Sequence, residues 1–396
     1  MKIVSLLCSG CGASLQMERE GEKGYVSGPA FLREHPLCQR CYRLIHYGEL
    51  TPVSVTAQEY RETLEKALKR PSLILYVVDL FDFNGSLVKG IATLLRGHEM
   101  VMAINKYDLF PLETKPERVK GWAIREARKQ ELEVREAFVV SAKNGMGIDD
   151  LLHSLEERAK GRPVVVLGMA NVGKSTLLNR MISMVDQDEG QKLTTSLYPG
   201  TTLGMVNVSL PGGNLTFTDT PGLLGAYRVM DRVCSKSLKD ILPNDRLRPK
   251  AFQLTPEQTL FLGGLARIDF IKGDPQSLVV YAANQLKVHR TKLSRADQLY
   301  VDHVGELLTP PCDTCANDLQ PLLPRQFRFT RGQPFDFVIS GLGFIRFGGF
   351  ETQLIVHVPK GVEVTIRPSL LGGKRSTGEG KKWPISRRIS PSSDTR

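Results

Sequence analysis

Apolar residues in the first two thirds of the chain gather into short unbroken runs. Leu73-Ile74-Leu75-Tyr76-Val77-Val78, Met100-Val101-Met102-Ala103-Ile104, Phe138-Val139-Val140 and Pro163-Val164-Val165-Val166-Leu167 are too short for helices and too apolar for strands with a wet face. Such runs predict strands of a parallel sheet covered on both sides. Residues 60–68, 119–132 and 148–159 repeat apolar positions at helical spacing, which supplies the cover. Residues 204–210 and 215–218 flank Pro211-Gly212-Gly213-Asn214 and read as a hairpin, adding one antiparallel edge strand. From Arg246 the character changes to short β-branched and aromatic runs at 265–271, 278–281, 326–330, 335–339, 352–358 and 362–366. A polar helix at 294–308 lies among them, so a separate α+β module with a curved antiparallel sheet is expected.

Charge sharpens this division. The formal net charge is +11, but residues 51–245 hold twenty-five Lys and Arg against twenty-four Asp and Glu. Residues 246–370 hold fifteen against eleven, and 371–396 hold seven against two. The excess sits in the C-terminal third, as a surface for a polyanion would, although a solvated basic face has the same composition. Residues 371–396 are rich in Gly, Ser, Lys and Arg and lack core-forming residues, which predicts a disordered basic tail. No apolar run approaches the ~20 residues of a membrane span. No signal or transit peptide is visible before Cys8, so a cytoplasmic protein without a membrane partner is expected.

The predicted strands end in phosphate and base chemistry. Gly168-Met169-Ala170-Asn171-Val172-Gly173-Lys174-Ser175 fits G-x-x-x-x-G-K-[ST] between a strand and a helix. Glycines let backbone N–H groups wrap phosphates, the helix N-terminus favours negative charge, and Lys174 reaches the outer phosphates. Gly168, Asn171, Val172, Gly173, Lys174, Ser175 and Thr176 are assigned to the nucleotide on this basis. Guanine-type elements lie upstream, at Asn105-Lys106-Tyr107-Asp108 and Ser141-Ala142-Lys143. Phosphate-sensing elements lie downstream, at Pro199-Gly200-Thr201-Thr202 and Asp219-Thr220-Pro221-Gly222. The order base, base, phosphate, switch, switch is that of a circularly permuted GTPase.

Each position has a chemical task. The Asp108 carboxylate accepts from the N1–H and exocyclic amine of guanine, a donor pair adenine lacks. Asn105 should tie the base-reading loop to the phosphate loop, and the stem of Lys106 should cover the base. Ser175 and Thr202 are the expected Mg²⁺ ligands, with Thr201 the alternative to Thr202. Asp219 holds a magnesium-bound water, and the Gly222 N–H senses the γ-phosphate. Lys174, Thr202, Asp219 and Gly222 form the expected catalytic set. Leu223-Leu224-Gly225 follows, so the position often held by a water-orienting Gln is aliphatic and slow intrinsic hydrolysis is expected. Asn171 could hold a K⁺ that neutralises developing charge, or serve only as a loop-stabilising amide.

Cysteine supplies the second dense motif. Cys8-x-x-Cys11 and Cys38-x-x-Cys41 can place four thiolates around Zn²⁺ in a closed structural site, against the alternative of redox pairs or disulfides. Residues 1–50 cannot bury much core alone, so the metal would supply folding energy. Cys312 and Cys315 offer only half a site, which His303 or His289 would have to complete, and Cys234 reads as a small buried apolar residue.

Taken with CSGCGASLQ, CQRCYRLIHY, INKYDLFP, TTSLYPGTTLG and FTDTPGL, these motifs resemble the YqeH family of circularly permuted GTPases. FQLTPEQTLFLGGLARIDF, KVHRTKLSRADQLY and HVGELLTPP are similar to that family's C-terminal region. The resemblance implies a cytoplasmic, bacterial-type GTPase that assists assembly of the small ribosomal subunit, with GTP, Mg²⁺ and Zn²⁺ as cofactors and 16S-type rRNA as partner. The expected plan is a zinc module at 1–50, the GTPase at 51–245, a basic RNA-binding module at 246–370 and the tail at 371–396. Within the third, His289, Arg290, Lys292 and Arg295 are the best candidates for phosphate-backbone contacts. The segment 223–242 would lead from the second switch into that module. The rival expectation is a nucleic-acid scaffold with GTP as a structural ligand and little turnover.

Overall fold

The computed structural model describes residues 6–9, 12–20, 24–33, 35–47, 54–189, 205–210 and 215–371. Cys11, the switch threonines Thr201 and Thr202, the turn 211–214 and the tail beyond 371 lie outside these. The chain divides into two compact units, Met1–Gly225 and Ala226–Arg396. The boundary expected after residue 245 therefore moves to after 225. Val229, Met230 and Ile241 are buried in one core with Leu254, Leu278 and Phe337, so apolar burial draws 226–245 into the second unit. Residues 1–50, expected as a separate metal-held module, fall within the first unit.

Among the described residues, the first unit is built on a six-stranded sheet in the order 136–139, 99–105, 73–79, 164–167, 216–219, 206–209. Strand Leu73–Asp79 is buried at every position and pairs in parallel with Glu99–Asn105 and Val164–Leu167. Both faces are covered, which is why its sequence shows no alternation. Strand Val206–Ser209 runs antiparallel to Thr216–Asp219 at the edge, as the hairpin pattern predicts.

Helix Ala57–Ala67 begins earlier than its apolar repeat, because Thr56 and Glu59 close a capping box. The Thr56 Oγ1 accepts from the Glu59 N–H, and the Glu59 carboxylate accepts from the Thr56 N–H at 3.1 Å. Such a cap stabilises a helix by about 1 kcal/mol. Helix Pro116–Arg128 starts on proline at its first turn and stops short of Glu131, whose φ is 59°. Helix Ile148–Ala159 has the limits its sequence predicts.

The second unit, among its described residues, holds two five-stranded antiparallel sheets. One orders 288–292, 258–262, 266–273, 352–359 and 322–329; the other orders 364–368, 335–339, 343–347, 276–282 and 250–254. Leu260, Ile268 and Val356 of the first sheet share a core with Val280, Phe337 and Ile345 of the second. Strand Thr352–Pro359 shows the alternating burial of a strand with one face on that core. The helix expected at 294–308 runs instead from Leu293 to His303, since Gly305 takes a φ of 89°. Among the described residues no helix is long and apolar enough to cross a membrane.

Candidate functional site

The parallel strands bring their carboxyl ends to one edge, where loops and helix N-termini leave polar groups unclaimed by the sheet. Asp79 and Asn105 lie in register, and Asp219 stands opposite Val166, just before the phosphate loop. Helix Lys174–Glu189 opens directly from that loop. A cleft of about 230 Å³ lies here, lined by Lys106, Asn171, Lys174, Ser175, Asp219 and Gly222 among others.

Asn105 links three loops. Its Oδ1 accepts from the Ala142 N–H at 3.0 Å and its Nδ2 donates to the Val172 carbonyl at 2.9 Å. Gly173 sits against the same amide with φ +93°; a Cβ there would come 2.4 Å from Asn105 Nδ2. The Ser141 hydroxyl donates to Asp108 Oδ1 at 2.7 Å, fixing the carboxylate of one base-reading loop from the other. Lys106, itself at φ 66°, donates to the Asn171 carbonyl at 2.6 Å and to Asp79 Oδ2 at 2.7 Å. Its ammonium thus anchors the base side to the phosphate loop. Lys143, Asn171 and Thr176 are exposed, whereas Lys174 and Ser175 are buried.

Lys174 folds over its own loop, donating to the carbonyls of Gly168 at 3.0 Å and Met169 at 3.1 Å. Gly222 closes the far side, where an added Cβ would meet the Ala170 Cα at 2.9 Å and Lys174 Nζ at 3.2 Å. Leu223 beside it is buried and accepts, through its carbonyl, from the Ala170 N–H at 2.8 Å. An apolar side chain packed inward cannot orient an attacking water.

Three groups complete the site without any local sequence signal. Tyr60, on helix Ala57–Ala67, accepts from the Gly168 N–H at 3.1 Å; burial pushes its phenol pKa well above the ordinary value, so it stays neutral. Asp79 ends its strand under Lys106, a visible acid for which the sequence suggested no partner. The third group is Arg40, between Cys38 and Cys41, buried and ion-paired to Asp219 Oδ2. The cysteine knuckle therefore reaches into the candidate nucleotide site.

The implied metals fit these residues. Asp219 Oδ1 is buried with no hydrogen-bond partner among the described residues, and the Ser175 side chain lies buried in the same cleft. Two such oxygens suit Mg²⁺ and its waters. Cys8, Cys38 and Cys41 are buried with their sulfurs within 4.8 Å of one another, an all-thiolate set suited to Zn²⁺. The Cys38 N–H donates to Cys8 Sγ at 3.2 Å.

The basic candidates occupy the second unit. His289, Arg290 and Lys292 lie on the edge strand Val288–Lys292 and Arg295 on the following helix. Arg290, Lys292 and Arg295 are exposed and His289 is half-buried. Cys234 is not the sequestered apolar residue its sequence suggested. It is half-buried and stands with Cys312 and Cys315, sulfurs within 4.8 Å.

Residues 163–246 match the family model described as 50S ribosome-binding GTPase, and 275–370 match YqeH-like, C-terminal. The first match spans phosphate loop through second switch, the stretch a permuted chain keeps contiguous. The "uncharacterized protein YqeH" of Bacillus subtilis is 38% identical over 366 residues, covering 92% of this chain and 99% of that protein. The chain belongs to the YqeH family. It is a GTPase with a permuted motif order. A protein of Oryza sativa subsp. japonica named "putative nitric oxide synthase" is 30% identical, covering 93% of this chain and 78% of its own. The crystal structure of YjeQ from Thermotoga maritima is 27% identical, over 39% of this chain and 48% of that one; its TM-score of 0.24 adds no structural support.

Proposed function

We propose that this YqeH-family protein is a cytoplasmic, K⁺-assisted GTPase that binds the small ribosomal subunit precursor through rRNA and leaves it on hydrolysis. The observation that carries the nucleotide part is Asn105 joined at once to Ala142 and Val172, with Ser141 holding Asp108. One amide locks both base-reading loops to the phosphate loop. Asp108 then presents its carboxylate to the guanine N1–H and amine, a pairing adenine would leave unmet. Lys174 releases its carbonyl contacts and turns to the outer phosphates.

Ser175 and Thr202 would hold Mg²⁺, with Asp219 accepting from one of its waters; the ion supplies charge neutralisation on the transferring phosphoryl group. The Gly222 N–H donates to the γ-phosphate. Asn171, exposed beside the cleft with φ 63°, would offer its side-chain amide to a monovalent cation, whose charge would serve where no Gln follows Gly222.

Family membership and the match to the GTPase model support a ribosomal partner. Exposed Arg290, Lys292 and Arg295 support a phosphate-backbone contact by the second unit. The description of the matching model names the 50S subunit, so the test takes both subunits. GTP turnover is measured in K⁺ and in Na⁺, with small-subunit precursor, large-subunit precursor or neither. Faster turnover in K⁺ with the small-subunit precursor is expected. A rate unmoved by cation and by either particle identifies a scaffold rather than a working GTPase. Asp108→Asn is expected to shift preference from GTP to xanthosine triphosphate, losing ten- to a hundredfold in GTP affinity for about 1.5–3 kcal/mol of a charged hydrogen bond.

A further inference from the structure

The second unit gathers three cysteines from two distant segments. Cys234 precedes helix Ser235–Ile241 and Cys312 precedes helix Asp313–Leu319, whose first turn contains Cys315. The Sγ atoms of Cys234 and Cys312 are 3.2 Å apart, those of Cys312 and Cys315 3.6 Å, and those of Cys315 and Cys234 3.8 Å. Three reduced thiols so close, two of them buried, crowd their sulfur lone pairs together unless something holds them.

We propose that Cys234, Cys312 and Cys315 form a second zinc site in this protein, with an oxygen ligand at the fourth position. A tetrahedral ion with Zn–S bonds of about 2.3 Å sets its sulfurs roughly 3.8 Å apart, so only small outward shifts are needed. The knuckle is already formed: the Cys315 N–H donates to the Cys312 carbonyl at 3.1 Å. The Ser237 hydroxyl braces it, accepting from the Cys312 N–H at 2.9 Å and lying 3.3 Å from Cys315 Sγ. Thr314 Oγ1 lies 2.9 Å from Cys312 Sγ and 3.9 Å from Cys234 Sγ, on the side where Cys234 is half open to solvent. The fourth ligand is therefore solvent water or this hydroxyl.

Thiolate donors select zinc over magnesium or calcium, and binding sends the thiol protons to the buffer. Once bound, zinc clips helix Ser235–Ile241 to helix Asp313–Leu319 across 78 residues of sequence. The segment that follows the nucleotide-binding unit is thereby fastened to the sheets of the second unit.

The test uses the full chain, purified reduced, incubated with zinc alone and dialysed. Two zinc ions per chain are expected by elemental analysis, falling to one in Cys312→Ser/Cys315→Ser. Because that variant could misfold, Cys234→Ser at the half-open position is measured beside it; it is expected to lose most of its second zinc at one equivalent of a competing chelator. Cobalt substitution of Cys38→Ser/Cys41→Ser isolates the second site and should give a tetrahedral spectrum with thiolate charge-transfer bands. Zinc should also protect Cys234, Cys312 and Cys315 from alkylation in the unmodified protein, as mapped by peptide mass. One zinc per chain with equal alkylation of these three in its presence and absence overturns the proposal. So does a Cys312–Cys315 or Cys234–Cys312 disulfide in the reduced preparation.

Discussion

The two cysteine clusters hold similar sulfurs in different company. In the first unit Cys8, Cys38 and Cys41 come from two short knuckles, and Arg40, one of two residues between Cys38 and Cys41, reaches the candidate nucleotide site. In the second, five strands and two helices separate Cys234 from Cys312 and Cys315 along the chain. The first cluster thus stands beside the candidate nucleotide site. The second is positioned to hold a fold. Arg40 makes the difference, since its pairing with Asp219 occupies the carboxylate proposed to accept from a magnesium-bound water.

Removing the first cluster should have the largest effect. Cys38→Ser/Cys41→Ser is expected to release zinc, unfold the knuckle and free Arg40 from Asp219. A buried carboxylate left alone destabilises the nucleotide-free state, and Mg²⁺·GTP relieves it. Affinity for Mg²⁺·GTP, measured with a fluorescent analogue, should therefore rise ten- to a hundredfold, taking about 1.5–3 kcal/mol for a charged hydrogen bond. Unchanged affinity would make the module a bystander.

Arg40→Ala isolates the same contact without disturbing zinc. It should tighten Mg²⁺·GTP about tenfold, lower the melting temperature of the nucleotide-free protein, and add nothing further in the Cys38→Ser/Cys41→Ser background. Weaker binding would instead place Arg40 on the phosphates in the bound state.

Cys234→Ser should leave nucleotide affinity within twofold while lowering the stability of the second unit in denaturant titration. All described residues of the nucleotide site belong to the first unit. A shift in GTP affinity would end the contrast between the clusters.

The smallest effect concerns acid. Burial pushes the Asp269 carboxyl up, but hydrogen bonds from His357, Arg267 and Thr259 outweigh it and hold its pKa below the ordinary value. A depressed folded pKa adds stability above about pH 4, lost as pH falls through the folded value. Asp269→Asn should flatten that acid limb without changing metal content, which separates proton effects on the sheets from proton effects on thiolates.

What the sequence disclosed follows from the range of each interaction. The phosphate loop, the base-reading loops and the first pair of knuckles are local patterns, and their strands are unbroken apolar runs. Strands Lys250–Leu254, Gln258–Leu262, Val288–Lys292 and Gly343–Phe347 escaped notice because they carry polar residues, glycine or an edge position in an antiparallel pairing. Arg40 with Asp219 and Cys234 with Cys312 are contacts across 179 and 78 residues, which no local spacing encodes. The domain boundary moved for the same reason: Val229 and Ile241 find their apolar partners only in three dimensions.

Strand Gly222–Leu223, at the second switch, pairs in parallel with Ser54–Val55, and the Leu224 N–H donates to the Val55 carbonyl at 3.3 Å. Ser54 is therefore stitched to the glycine proposed to meet the γ-phosphate. Gly222 cannot shift without carrying Ser54 along or surrendering that seam. A shift of Gly222 on hydrolysis would therefore be felt at Ser54, and amide exchange at Leu224 that differs between the GTP- and GDP-bound protein is the expected sign of it.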